Sequence, residues 1–244
     1  METHLNRSFA YTIRKGDTLM LIARHFHTTV PAIKLENPQL GNKLYIGQLI
    51  WIPQKCSYSE IPLQCHSIIN EKLALNNRLR LLWEQHVYWT RMFITSLVFG
   101  LPDAEYVANR LLQNPKDFAV VLREFYEEDD VSTFVELFTE HLNIAAELVK
   151  AAKAGDSAAA ADAEKRWYAN ADMIAEFFES INPYWSAHEW KKLLYNHLAM
   201  TKEVAVNMLN QKYENSIRDF NNIEQEALLM ADTMTQGILK QLDF

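Results

Sequence analysis

From about residue 70 onward, apolar side chains recur every three or four positions with few breaks. This pattern restricts the region to helices that bury one face against one another. The interruptions are short and of the kind that end helices: Gly100-Leu101-Pro102-Asp103, Asn114-Pro115, Glu127-Glu128-Asp129-Asp130, Gly155 and Asn182-Pro183. The spacing predicts helices over about residues 70–98, 103–112, 116–126, 131–154, 157–180, 187–209 and 214–239. Asp156 or Ser157 caps the fifth, and the capping-box sequence Ser186-Ala187-His188-Glu189 opens the sixth. Long helices joined by short loops make an antiparallel bundle.

Residues 8–53 follow another pattern. A strand-like segment at 8–13 is rich in aromatic and β-branched residues. Lys15-Gly16-Asp17-Thr18 then leads into a helix over 19–26, with Asp17 or Thr18 as its N-cap. Thr28 or Thr29 caps a second helix that carries Pro31 in its first turn and stops at Asn37-Pro38. Turns at Gly41-Asn42 and Gly47-Gln48 frame an extended segment, and a strand at 49–52 ends at Pro53. The order is strand, helix, helix, strand.

These residues carry a resemblance. Tyr11-Thr12-Ile13-x-Lys15-Gly16-Asp17-Thr18-Leu19-x-x-Ile22-Ala23 resembles the opening of LysM repeats, and Asn37-Pro38 with Leu44-Tyr45-x-Gly47-Gln48-x-Ile50-x-Ile52-Pro53 resembles their close. The resemblance implies an α+β module, two helices on a two-stranded antiparallel sheet, that binds N-acetylglucosamine polymers such as peptidoglycan and chitin. It places the groove between the loop Gly16, Asp17, Thr18, Leu19 and the loop holding Gln39, Leu40, Gly41, Asn42 and Tyr45. A glycan groove needs backbone donors and acceptors beside an apolar wall, and Gly16 leaves room for a sugar to reach the backbone. Turn and cap chemistry alone also accounts for Gly16, Asp17 and Thr18.

Charge separates the two regions. Residues 1–55 hold seven Lys/Arg and three Asp/Glu, a net +4, which leaves −11 for the rest of a chain whose total is −7. An acidic body argues against nucleic acid as a partner. Residues 54–70 read as a weakly held linker between a module at 8–53 and a bundle at 71–244, with electrostatic docking between the two. Cys56 and Cys65 both fall in that linker, too few for a disulfide framework or a four-ligand zinc site; free thiols are the plainer reading and a bridge the other. No segment has the apolar length of a membrane span. The polar start at residues 1–7 lacks the pattern of a secretory signal, which sets the expectation of synthesis in a cytoplasm.

An internal similarity runs through the helices. His86, His141, Asn170 and His197 each stand three residues after a large apolar residue, namely Trp83, Phe138, Trp167 and Leu194. That spacing puts the polar group on or beside the core stripe, so the four form one layer if the helices align at mid-height. Two readings stay open. One is a hydrogen-bonded network, with ring nitrogens bonded to Glu84, Tyr88, Glu140 or Asp172. The other is a metal site for zinc, iron or manganese, in which three imidazoles join a carboxylate of Glu84, Glu140 or Asp172. A ferritin-type centre is excluded, since no Glu stands three residues before these histidines.

The helical region also resembles a small group of all-helical proteins of spore-forming Gram-positive bacteria, through Leu82-Trp83-Glu84-Gln85-His86-Val87-Tyr88-Trp89-Thr90-Arg91, Asn114-Pro115-Lys116-Asp117-Phe118, the segment from Ala163 to Asp172 and Asp232-Thr233-Met234-Thr235-Gln236-Gly237-Ile238. Members are often labelled acetylglutamate kinase. Such a kinase needs a phosphate cradle, and the only glycines after residue 47 are Gly100, Gly155 and Gly237, each alone. The expected function is therefore glycan binding at a spore or cell envelope, with a bundle that is structural, binds a protein partner or forms homo-oligomers. The alternative is a metal-binding bundle or enzyme delivered by the glycan-binding module.

Overall fold

The computed structural model describes residues 7–41, 44–54 and 61–242, and the side chains of 8–41, 44–53 and 71–242. Strand β1 (Arg7–Thr12) pairs antiparallel with β2 (Leu49–Gln54), from Arg7 opposite Gln54 to Thr12 opposite Leu49. Helices α1 (Leu19–His25) and α2 (Val30–Glu36) lie on one face of this ribbon. Alternation along β2 sends Ile50 and Ile52 into a small core with Ile13, Ile22, Ala23 and Ile33. It leaves Leu49 and Trp51 exposed on the other face.

Each local choice has a visible cause. Thr18 caps α1 by accepting from Leu21 N at 3.1 Å, and Thr29 caps α2 by accepting from Ala32 N at 3.2 Å. Asn37 is fully buried and does more than end α2. Its Nδ2 donates to Ile33 O at 2.7 Å and Trp51 O at 2.6 Å, and its Oδ1 accepts from Trp51 N at 2.7 Å. It thus fastens the end of α2 to the outer edge of β2, which has no second strand among the described residues to satisfy it.

The bundle comprises α3 (Ile61–Phe99), α4 (Ala104–Leu111), α5 (Asn114–Leu122), α6 (Glu128–Ala154), α7 (Ser157–Ile181), α8 (Ala187–Leu209) and α9 (Tyr213–Gln241). Helix α6 packs on α7, α7 on α8, α8 on α9 and α9 on α3, while α4 and α5 fill the span between α3 and α6. The core is strongly aromatic: Trp83, Phe118, Phe134, Phe178, Trp185 and Trp190 are all essentially inaccessible. Gly155 ends α6 with φ of 74°, and Asp156 caps α7 by accepting from Ala159 N at 3.0 Å.

Three boundaries differ from expectation, the simplest being α5, expected over 116–126, which runs from Asn114 to Leu122. Helix α3 begins at Ile61, about two and a half turns before residue 70. Pro62 sits at its start, where a missing N–H costs nothing, and lengthening an existing helix is easy. The stretch read as a linker over 54–70 is thus β2 at its first residue and helix from 61 onward; residues 55–60, with Cys56, lie outside the described residues, as does the side chain of Cys65. The acidic run lies at the end of a break over 123–127: Glu127 is the N-cap of α6, and Glu128, Asp129 and Asp130 form its first turn, facing the positive end of the helix dipole.

The module rests against the bundle through more than surface charge. Leu21 of α1 is 3% exposed and belongs to the bundle's core. His25 Nδ1 donates to Leu242 O at 2.7 Å. The Arg24 guanidinium lies 5.0 Å from the Phe125 ring and 3.7 Å from the Glu124 carboxylate. Apolar burial, a ring contact and hydrogen bonds accompany the ion pair that the charge split led one to expect.

Candidate functional site

The expected glycan groove has two walls, and the structure treats them differently. Gly16 turns the chain with φ of 88°, a conformation that suits glycine. Asp17 stabilises the same turn, accepting from Arg14 N at 2.7 Å and from Tyr11 Oη at 2.9 Å. The far side of this loop faces the bundle. Gln241 Nε2 donates to Gly16 O, and Thr18 Oγ1 is 3.5 Å from Phe125 O. A methyl group on Gly16 would collide with Gln241 and press on Pro183. Thr18 is buried and Leu19 half-buried.

The other wall is open. Gln39, Gly41 and Tyr45 are exposed and Leu40 is half-buried, while Asn42 lies outside the described residues. Gln48 Oε1 accepts from Tyr45 N at 3.2 Å and holds the end of this loop. The exposed Tyr45 and Ile46 give it an apolar surface.

The second candidate lies in the middle of the bundle. His86 on α3, His141 on α6, Asn170 on α7 and His197 on α8 are each no more than 3% exposed. Ring centroids of His86 and His197 are 5.6 Å apart, and those of His86 and His141 are 6.4 Å apart. One ring nitrogen from each histidine falls within 4.8 Å of one from each of the others.

Hydrogen bonds fix the tautomers of two rings. Asn114 Nδ2 donates to Leu82 O at 3.0 Å, so its Oδ1 faces His86 Nδ1 at 3.1 Å and accepts from it. Asn170 Nδ2 donates to Leu137 O at 3.1 Å and Glu140 Oε2 at 3.2 Å, so its Oδ1 accepts from His141 Nδ1 at 3.0 Å. Both rings therefore carry their proton on Nδ1 and keep a lone pair on Nε2. Trp167 Nε1 donates to that lone pair on His141 at 3.2 Å. Burial, with the neighbouring His197 adding to it, pushes His141 down to about 3. Burial likewise holds His86 well below the usual histidine value, aided by His197 and His141. Both are neutral at physiological pH.

The third ring is different. His197 Nδ1 lies 3.5 Å from Glu226 Oε2 on α9, without hydrogen-bond alignment. Neither oxygen of Glu226 has another partner among the described residues, and the side chain is 8% exposed.

The acids expected to join the histidines do not. Glu140 is exposed and accepts from Asn170; Asp172 accepts from Tyr195 Oη at 2.9 Å and lies 3.3 Å from Lys191 Nζ; partial burial, with the neighbouring Glu224 adding to it, raises the pKa of Glu84. Glu84 and Asp172 stand two positions, about 200° of helix turn, from His86 and Asn170, and Glu140 one position from His141, so none of the three stands on the stripe that carries the rings; Glu140 reaches only the Asn170 amide. Tyr88 is exposed. The groups that do meet the rings are Asn114, Trp167 and Glu226. Glu226 carried a signal, since it stands three residues after Ile223 and four before Met230 on the apolar stripe of α9.

A cavity of about 310 Å³ adjoins the layer, lined by Phe93, Ile94, Leu142, Val149, Trp167 and Thr201 among others. Thr90, Ile94 and Thr201 also border a smaller space that reaches His197.

Residues 11–53 match the family model of the LysM domain. No curated protein and no solved structure matches the chain, so the likeness of the helical region to kinase-labelled proteins has no counterpart among them. No described helix is long and apolar enough to cross a membrane.

Proposed function

We propose that the protein binds peptidoglycan or a related N-acetylglucosamine glycan through residues 16–19 and 39–45, and that the bundle is a structural or partner-binding body at a spore or cell envelope surface. The LysM match over residues 11–53 carries this reading, because that domain binds N-acetylglucosamine-containing glycans. The exposed Gln39, Gly41 and Tyr45 supply amide, backbone and aromatic surfaces, the chemistry an N-acetyl sugar requires. The acidic bundle favours a protein or glycan surface over nucleic acid.

The test is sedimentation of the full chain with purified peptidoglycan, alongside titration with a soluble chitin oligosaccharide. Expected are co-sedimentation and a measurable affinity that Tyr45→Ala weakens. A chain that stays in the supernatant and gives no heat with the oligosaccharide removes the glycan reading.

A further inference from the structure

The histidine layer holds an imbalance that a hydrogen-bonded network alone does not resolve. A network that merely fixes register satisfies its members. Here Asn114 and Asn170 satisfy two Nδ1 atoms. The third Nδ1, on His197, and both oxygens of Glu226 are buried without partners among the described residues. Burying a carboxylate is costly unless positive charge or hydrogen bonds accompany it. The one ion-pair partner of Glu226 among the described residues is His197. A cation at the centre of the layer would offset that cost.

The three histidines are arranged for such a charge. In two of them Nδ1 donates to an amide oxygen on another helix, Asn114 of α5 and Asn170 of α7, and in the third Nδ1 lies 3.5 Å from the Glu226 carboxylate of α9, unaligned for a hydrogen bond. Histidines that ligate metals show this arrangement, because an acceptor on Nδ1 fixes the ring and raises the basicity of Nε2. One nitrogen of each ring converges with one nitrogen of each of the other two. A tetrahedral zinc ion with bonds of about 2.0–2.1 Å sets its nitrogens about 3.4 Å apart, so nitrogens now within 4.8 Å need close in by little more than an ångström. The Trp167 indole N–H points at the lone pair of His141 and would turn to a fourth ligand.

We propose that His86, His141 and His197 bind one divalent first-row transition-metal ion through their Nε2 atoms, with Asn114, Asn170 and Glu226 holding the opposite nitrogens. Neutral imidazoles select zinc, iron(II) or cobalt over magnesium and calcium, which take oxygen donors. Three ligands leave a fourth position, and Trp167, which donates to His141, also lines the apolar cavity. This differs from the sequence-based set in its carboxylate: Glu226 stands behind a ligand rather than beside it. The site is independent of glycan binding.

The full chain, stripped with chelator and exchanged into metal-free buffer, is titrated with Zn²⁺ against a chromophoric competitor and, separately, with Co²⁺. One equivalent of each is expected, with a visible cobalt band and a raised unfolding midpoint in zinc. His197→Gln is expected to lose at least a hundredfold in zinc affinity, and Glu226→Gln about ten- to a hundredfold, as partners behind a ligand do. His188→Gln, outside the layer, retains binding. Because a layer variant that fails to fold also binds nothing, X-ray absorption of the zinc-loaded wild type gives the answer without substitution: three imidazole donors and no sulfur. Wild-type protein that takes up no stoichiometric zinc, binding that survives His197→Gln, or a sulfur shell indicating Cys56 and Cys65 each overturns the proposal.

Discussion

The side-chain amide of Gln241 donates to the carbonyl oxygen of Gly16, joining the loop expected to meet sugar to the end of α9. The orientation of that amide is not free. Gln241 Oε1 accepts from Asn182 Nδ2 at 2.8 Å and from Tyr126 Oη at 3.2 Å, which turns Nε2 toward Gly16. One wall of the proposed groove is therefore held by a polar cluster of the bundle.

If sugar uses the Gly16 carbonyl, it competes with Gln241. Gln241→Ala should then tighten binding of a chitin oligosaccharide by a few-fold to about tenfold, the worth of one hydrogen bond at about 0.5–1.5 kcal/mol. Calorimetric titration of wild type and variant measures it. An unchanged or weaker affinity places the sugar elsewhere on the module.

His141→Leu should destabilise the protein by about 1–3 kcal/mol, since it leaves the Asn170 carbonyl and the Trp167 indole N–H buried without their partner. His188 is exposed, and His188→Ala should cost under about 0.5 kcal/mol. Urea unfolding in chelator compares the two. Equal midpoints would show that the layer contributes nothing to stability.

Much of this was legible in the sequence. Apolar periodicity and punctuation by Gly, Pro and Asn place the bundle helices to within a few residues, except at α3, where a tolerated Pro62 and polar residues hide the early start. The three-residue spacing after Trp83, Phe138 and Leu194 marks which histidines turn inward. Their partners were harder to see. Asn114 reads as a helix breaker, yet it lies at the start of α5 and reaches back to α3. Glu226 pairs with a residue of α8, and a contact between helices has no period in the chain. The seat of the module on the bundle is equally invisible, because Leu21 looks like any apolar residue of a small core until the surface it enters is known.

Acid should weaken the metal-free protein. His86 and His141 are held below their unfolded value of about 6.5 by burial, so the unfolded chain binds more protons under that pH. Their contribution is complete above about pH 6.5 and is lost as pH falls toward the folded value of about 3 for His141. Each adds a slope of about 1.4 kcal/mol per pH unit in that window, an upper figure for rings that face one another, His197 and Glu226. Unfolding midpoints in chelator from pH 7.5 to 5 should drop, and the drop should be shallower for His141→Gln. A flat profile would refute the neutral, buried assignment.

Gly237 lies under the indole of Trp185, whose Nε1 donates to Met234 O at 3.2 Å. A β-carbon at 237 would overlap that ring. Gly237→Ala, normally favourable in a helix, should here cost about 1–3 kcal/mol through overpacking. Thermal unfolding with near-ultraviolet circular dichroism reads both the loss and the displaced tryptophan. A variant as stable as wild type would mean that α9 and Trp185 can separate at no cost.

The clasp between the module and the end of α9 also orders events in time. Residues 241 and 242 are 225 and 217 positions beyond their partners Gly16 and His25. At a synthesis rate of about 5–20 residues per second, the module leaves the ribosome roughly 10–45 s before the surface it closes on exists. During that interval Leu21 has no core to enter and the Gly16 loop is uncovered. A nascent chain thus presents to its surroundings a loop of the proposed groove that the finished molecule partly shields.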